Sequence, residues 1–279
     1  MQIQPLLTHA TAQLQVSSES ARADAEILLA HCLQKSRTYL FTWPEKELEP
    51  AVEAQFRQLL ALRCNGIPVA YLTGYREFWT LNLRVTAATL IPRPETELLV
   101  EAALAKIPTN ASCDVLDLGT GTGAIALAIA SERPLAKIIA VDASTAALAS
   151  AAENVQTHGL SNVMLQHSDW FTALSAQRFH LIVSNPPYIE QQDPHLQQGD
   201  VRFEPLTALA SGEDGLEDIR HIIAHAPARL HAGGWLLLEH GYNQGQAVTN
   251  LLQQRGFQQV HCLPDLAGND RISLGQWLD

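Results

Sequence analysis

Hydrophobic positions recur at two different periods along this chain, and the change of period divides it. Ala25, Leu28, Leu29, Cys32 and Leu33 fall at i, i+3, i+4, i+7 and i+8, the spacing of one buried helical face. Ser17, Ser18 and Ser20 precede that stripe as candidate caps. Val52, Phe56, Leu59 and Leu60 form a second stripe, and Pro44 and Pro50 punctuate the stretch between. Residues 1–75 therefore read as a small helical domain. From Phe78 the period becomes two: Trp79, Leu81, Leu83 and Val85 alternate with Thr80, Asn82 and Arg84, which predicts a strand. Ala87-Ala88 is the expected turn, with Thr89-Leu90-Ile91 returning as a second strand before Pro92-Arg93-Pro94 and a helix starting near Glu95. Residues 76–92 are thus expected to form a β-hairpin connector, and 93–279 the larger domain.

Beyond residue 112 short apolar runs alternate with helical patterns. Strands are predicted at 114–118, 138–141, 163–166, 181–184, 235–239, 258–262 and 271–274, with helices between most of them, for example 144–158 and 216–230. Such alternation predicts an α/β fold, a seven-stranded Rossmann-like sheet covered on both faces.

Composition narrows the setting. Apolar residues make up 47% of the chain, ample for a packed core. Cys32, Cys64, Cys113 and Cys262 lie far apart without metal-ligand spacing, so reduced thiols and no metal site are expected. No long apolar run suggests a membrane span or a secretory leader, and a cytoplasmic protein is expected. Residues 1–90 hold 8 basic and 8 acidic side chains, whereas 91–279 hold 10 against 21. The whole excess of −11 therefore sits in the larger domain, which argues against a nucleic-acid substrate, since phosphate binding needs a basic face.

Candidate chemistry begins at Val115-Leu116-Asp117-Leu118-Gly119-Thr120-Gly121-Thr122-Gly123, an apolar strand entering a glycine turn, with a helical run from Ala124 to Ala130 behind it. The glycines let backbone approach a ligand closely. Gly119-x-Gly121-x-x-Ala124 also satisfies the dinucleotide fingerprint. Asp117 tilts the balance: a carboxylate there repels a pyrophosphate but suits the ammonium of a methionine moiety. Asp142, ending the next strand, can accept both ribose hydroxyls of an adenosine. Asp169 can accept from an adenine amine, with Trp170 packing on the ring.

The fourth strand of the larger domain runs into Asn185-Pro186-Pro187-Tyr188. Ligands in open α/β sheets bind at the carboxyl ends of strands, so this loop shares a crevice with Gly119–Gly123 and Asp142. Asn185 offers a side-chain carbonyl, Pro186 a backbone carbonyl, and the two prolines fix the loop's shape. Two acceptors converging on one nitrogen grip both hydrogens of a planar –NH2, and Tyr188 offers an aromatic face for stacking. An amide or aromatic amine is a poor nucleophile, and such a grip aligns its nitrogen with an electrophilic methyl. The loop alone does not choose an amide over adenine.

Together these motifs resemble the Asn/Asp-Pro-Pro-Tyr class of amino-methyltransferases. Arg76-Glu77-Phe78-Trp79, Leu90-Ile91-Pro92-Arg93-Pro94-Glu95-Thr96-Glu97, Phe203-Glu204-Pro205 and Leu238-Glu239-His240-Gly241 are similar, within that class, to the HemK/PrmC family. The resemblance runs over nearly the whole chain. It implies a class I methyltransferase sheet, S-adenosylmethionine as cofactor, and methylation of the glutamine (N5) in the Gly-Gly-Gln loop of class I peptide chain release factors, by a monomer whose N-terminal domain docks the partner. By resemblance Asp117, Gly119, Thr120, Gly121, Thr122, Gly123, Asp142, Asp169, Trp170 and Asn185 serve the cofactor, while Asn185, Pro186, Pro187 and Tyr188 meet the glutamine. Arg93, Glu95 and Glu97 either line the crevice or tie the hairpin down, and His240 reads as structural. The rivals are an adenine-N6 methyltransferase on nucleic acid, a glutamine methyltransferase of a ribosomal protein, a nicotinamide-dependent oxidoreductase, which leaves Asn185–Tyr188 without a role, and a non-catalytic binding module, which has no use for an –NH2 grip.

Overall fold

The computed structural model describes residues 1–279, and they divide into two compact units, Met1–Tyr75 with Gln197–Phe203, and Arg76–Leu196 with Glu204–Asp279. No helix is long and apolar enough to cross a membrane.

The first unit holds α1 (Ile3–Leu14), α2 (Ala21–Leu33), α3 (Arg37–Thr42), α4 (Pro50–Cys64) and α5 (Val69–Thr73). Its core joins Ile3, Leu6, Leu7 and Leu14 of α1 to Ala25, Leu28 and Leu29 of α2 and to Phe56 and Leu60 of α4. The serines before α2 do not cap it. Ser20 has a non-extended backbone and makes no side-chain cap bond; Ser18 and Ser20 instead donate to the Asp24 carboxylate at 2.7 and 2.8 Å. That carboxylate also takes Arg63 Nε at 2.7 Å, and Arg63 Nη1 reaches Asp200 at 2.7 Å. A guanidinium with five fixed donors suits such a bridge, and it ties the segment Gln197–Phe203 to the helices, a return that the periodicity gives no hint of.

In the second unit the hairpin lies earlier than expected. β1 (Tyr75–Phe78) pairs with β2 (Leu81–Arg84), so the turn is Trp79-Thr80. Trp79 takes φ 56°, held there by its N–H to Glu97 (2.8 Å) and its indole N–H to Glu132 (2.9 Å). A turn without Gly, Asn or Pro is invisible to turn chemistry, which is why Trp79–Val85 reads as one strand. Thr89-Leu90-Ile91 is correspondingly not a strand but part of the loop that follows.

The sheet contains β3 (Asp114–Leu118), β4 (Lys137–Asp142), β5 (Val163–His167), β6 (Phe179–Ser184), β7 (Leu230–Glu239), β8 (Gln258–Pro264) and β9 (Asp270–Trp277), in the order β5-β4-β3-β6-β7-β9-β8. All pairs are parallel except those of β9. Side chains alternate between two cores: Val115, Leu181, Val183 and Leu237 face one, and Leu116, Leu118, Ile182, Leu236 and Leu238 the other. α6 (Glu97–Leu104) and α7 (Ala124–Glu132) cover the first. α9 (Glu217–His225) and α10 (Gly245–Arg255) cover the second. α7 is buried at every position from Ala124 to Ala130, as a helix apolar on all sides must be. α8 (Thr145–His158) begins on a true cap, Ser144 Oγ accepting from Ala147 N at 3.2 Å.

Chain order reverses at β3, which has β4 on one side and β6 on the other. That switch point is where an open sheet leaves a crevice at its carboxyl edge.

Candidate active site

Register decides which loops meet at that crevice. Leu118 lies opposite Val141 and Ser184, and Asp142 lies opposite His167. The glycine loop, Asp142, Ser168–Trp170 and Asn185 therefore leave adjacent strands at one level. A cavity of about 480 Å³ opens there, within the roughly 300–1,000 Å³ of small-molecule sites. Gly119, Thr120, Gly121, Thr122, Asp142, Asp169, Trp170, Asn185 and Pro187 line it. Asp117, Gly123, Pro186 and Tyr188 do not.

Gly121 has φ 57°, and a Cβ built there meets nothing within 4 Å, so its backbone faces open space where a ligand can approach. Gly123 serves packing: φ is 84°, and a Cβ would lie 2.4 Å from Leu127 Cδ1. Asp142 is held by two backbone donors, Gly121 N to Oδ2 at 2.9 Å and Ser144 N to Oδ1 at 2.8 Å. An ionised carboxylate has about four acceptor sites, so two remain for hydroxyls. Trp170 sits beside Gly119, whose added Cβ would lie 3.6 Å from its ring.

Asp117 lies beneath the loop rather than in the cavity, fully buried. Its Oδ2 accepts from Thr120 Oγ1 at 2.6 Å, while Oδ1 has no hydrogen-bond partner. Burial pushes its carboxyl up to about 7, against the Thr120 hydroxyl and the Ala126 N–H, which favour the anion, while nearby Asp142 adds to the rise. The placement turns it toward α7 and not toward an ammonium in the cavity.

The second loop is pinned from both sides. Tyr188 N and Ile189 N donate to Leu209 O at 3.1 and 2.8 Å, and Gln244 Nε2 donates to Tyr188 O at 3.0 Å. Pro186 is buried and Asn185 and Pro187 are half-buried. Asn185 Nδ2 donates to Thr96 Oγ1 at 3.2 Å, and Thr96 lines the same cavity, so the amide's donor is engaged and its Oδ1 is the atom left to accept. The Tyr188 ring, expected to stack on a substrate, packs against the core of β7 and α10, and its hydroxyl donates to Glu239 Oε1 at 3.4 Å. Burial and the neighbouring carboxylate push that phenol well above its usual range.

Apart from Arg93, the roof of the cavity escapes sequence reasoning. Ala87–Leu90, Pro92 and Arg93 line it together with Pro205, Thr207 and Ala208. Glu204 joins the two segments: Ile91 N donates to it at 2.9 Å and Arg93 forms an ion pair with it. Arg93 thus both lines the cavity and ties this segment down, the two alternatives its position offered, while Glu204 carried no signal beyond the family likeness of its segment. Glu97 likewise anchors the Trp79 turn. His240 is fully buried, with Nε2 2.8 Å from Ser273 Oγ and Nδ1 3.0 Å from Gly241 O, and burial lowers its pKa. At the opposite edge of the sheet, ligand atoms of Asp114, His180 and His231 come within 4.8 Å of one another, a grouping that three distant sequence positions do not suggest.

Known proteins bear on this geometry. The PrmC N-terminal domain family matches residues 5–74 and the methyltransferase small domain family residues 94–201. The chain is 52% identical over 277 residues to the release factor glutamine methyltransferase of Escherichia coli strain K12, covering 99% of both chains. It is 56% identical over 260 residues to that of Pseudomonas aeruginosa, covering 93% of this chain and 94% of the relative. In fold it is similar to a methyltransferase from Pyrococcus furiosus, with a TM-score of 0.55, 18% identity and coverage of 80% of this chain and 98% of that one. At such identity over its full length, the chain belongs to the release factor glutamine methyltransferase family.

Proposed function

We propose that this protein transfers the methyl group of S-adenosylmethionine to the side-chain amide nitrogen, N5, of the glutamine in the Gly-Gly-Gln loop of class I peptide chain release factors. The observation that carries this reading is the setting of Asn185. It stands in the wall of the same cavity as Gly119–Thr122 and Asp142, its own –NH2 engaged by Thr96, another residue of that wall, which leaves its carbonyl to accept from a substrate –NH2.

The residues fit the cofactor. Gly121 leaves space against the backbone, Asp142 has acceptor sites for ribose hydroxyls, and Ser168, Asp169 and Trp170 stand beside them for the adenine. When bound, S-adenosylmethionine supplies an electrophilic methyl on a sulfonium. The chain's own part is to position the nitrogen. Asn185 Oδ1 and the Pro186 carbonyl accept the two amide hydrogens, holding the nitrogen for in-line attack. Positive charge developing on that nitrogen during transfer would meet these two fixed acceptors, which stabilise it. The nitrogen then releases a proton to solvent, so no strong base is required. Tyr188 fixes the loop from below. The helical unit docks the release factor in this reading, and the protein acts as a cytoplasmic monomer.

The test offers the purified protein, with S-adenosylmethionine, a release factor and, separately, structured RNA and duplex DNA. A gain of one methyl group on the release factor alone is expected. Methylated adenine with an unmodified release factor would replace this reading with the nucleic-acid one.

A further inference from the structure

A buried acid stands beneath the Asn185 loop without a role in the steps above. β6 and β7 pair with Ser184 opposite Leu238, so Asn185 and Glu239 leave neighbouring strands at one level. Glu239 shares the sheet face of Leu237, the face covered by α6, and Thr96 lies immediately before that helix. Glu239 is 1% exposed, and its Oε2 has no hydrogen-bond partner. Fold stability does not account for it. Arg271, whose charge favours the Glu239 anion, donates to Asp265 at 3.2 Å and to His240 O at 3.3 Å, and forms no ion pair with Glu239. A buried, half-satisfied carboxylate is a liability to folding.

What Glu239 touches is the loop. Tyr188 donates to its Oε1, and the Thr96 hydroxyl lies beside it as a donor that favours the anion. Thr96 in turn accepts from Asn185 Nδ2 at 3.2 Å. Proton counting then gives a direction to the chain. An ionised carboxylate only accepts, and a hydroxyl has one hydrogen. If Thr96 directs that hydrogen to Glu239, its oxygen can meet Asn185 only as an acceptor. The Asn185 amide must then give its –NH2 to Thr96, which leaves its carbonyl as the acceptor for a substrate. The opposite flip would present donors to a substrate –NH2, donor against donor.

We propose that Glu239 is a positioning residue for methyl transfer: through Thr96 it sets the flip of the Asn185 amide, and through the Tyr188 hydroxyl it sets the height of the loop. This rests on the reading of Asn185 as the –NH2 clamp. It also makes turnover sensitive to pH. Burial raises the Glu239 carboxyl to about 7, with the Thr96 hydroxyl, Arg271 of β9 and Tyr188 favouring the anion and Glu95 opposing it. Protonated Glu239 can donate to Thr96 and release the flip, so kcat falls as pH drops below about 7.

The experiment compares wild type, Glu239→Gln, Thr96→Val, the double variant and Asn185→Ala on a release-factor substrate, with S-adenosylhomocysteine binding followed by calorimetry. Gln is isosteric but can donate to Thr96. Expected for Glu239→Gln is a fall in kcat of roughly 10- to 100-fold, below the effect of removing a group that touches the reacting atoms, with KM and S-adenosylhomocysteine affinity little changed and the acid limb of the pH profile gone. In the Thr96→Val background the Glu239→Gln change should add little, because the relay is already cut. If Asn185→Ala abolishes turnover while Glu239→Gln, bound normally to S-adenosylhomocysteine, turns over like wild type, the positioning role is wrong and the clamp stands. If Asn185→Ala itself turns over normally, the clamp reading fails first. Should Glu239→Gln not fold, Thr96→Val carries the test: an unchanged kcat and acid limb there overturn the relay.

Discussion

Two loops leave the sheet side by side, and each stands on a buried carboxylate. Asp117 lies under Gly119–Gly123, and Glu239 under Asn185–Tyr188. Both are raised to about 7 by burial, both have one oxygen without a partner, and both adjoin a threonine. The difference lies in what each threonine does next. Thr120 belongs to the loop above Asp117, so the bond between them closes locally and stiffens the glycine loop. Thr96 belongs to a separate segment and accepts from Asn185, so in the relay proposed above Glu239 acts on a residue of the neighbouring loop. On that proposal, the same kind of buried acid serves shape in one loop and polarity in the other.

The sharpest way to separate the loops is Asn185→Ala. It should lower kcat by about 10²- to 10³-fold, the effect of removing one aligned polar group from a transition state, while S-adenosylhomocysteine binding stays near wild type by calorimetry. A parallel loss of affinity would place Asn185 in the cofactor cradle instead.

Next is Asp117→Asn, read as stability. A folded-state carboxyl at about 7, above its ordinary range, keeps a proton that the unfolded chain has lost. Its contribution is present in acid and disappears as pH rises through about 7. The amide does not titrate, so thermal denaturation should show the variant gaining on wild type between pH 5 and pH 8, by about 2–4 kcal/mol from the size of the shift. A gap independent of pH would contradict the assignment.

Asp142→Ala should weaken S-adenosylhomocysteine by about 10- to 100-fold, as loss of charge-assisted hydrogen bonds does, with kcat at saturation largely kept. Tyr188→Phe is the smallest change. It removes one long donor to Glu239 and should lower stability by about 1 kcal/mol and kcat only a few-fold. A loss as large as that of Asn185→Ala would return the tyrosine to the substrate.

Most of the sheet was legible because parallel strands bury both faces and read as short apolar runs: all seven predicted strands lie within β3 to β9. That Asn185, Asp142 and the glycine loop share one cavity was legible for a related reason, since loops at carboxyl ends of adjacent strands converge wherever the strands themselves do. The hairpin was misplaced because Trp79 turns the chain with φ 56° and no glycine. Asp117 and Tyr188 show a further limit. Their identity signals polar chemistry, but whether a side chain points into a cavity or beneath it depends on packing that periodicity does not carry. The Glu204 tie and the Thr96 relay join residues 111 and 89 positions apart along the chain, and no local pattern encodes such pairs.

The central claim is that the Asn185 loop delivers a methyl group to a glutamine side-chain nitrogen. Fragment-ion mass spectrometry of a release-factor Gly-Gly-Gln peptide, after incubation with protein and S-adenosylmethionine, tests it most directly. One methyl group on the glutamine side chain, present with wild type and absent with Asn185→Ala that still binds S-adenosylhomocysteine, is the expected result. A methyl group on any other residue, or an unmodified glutamine with active wild-type protein, would contradict it.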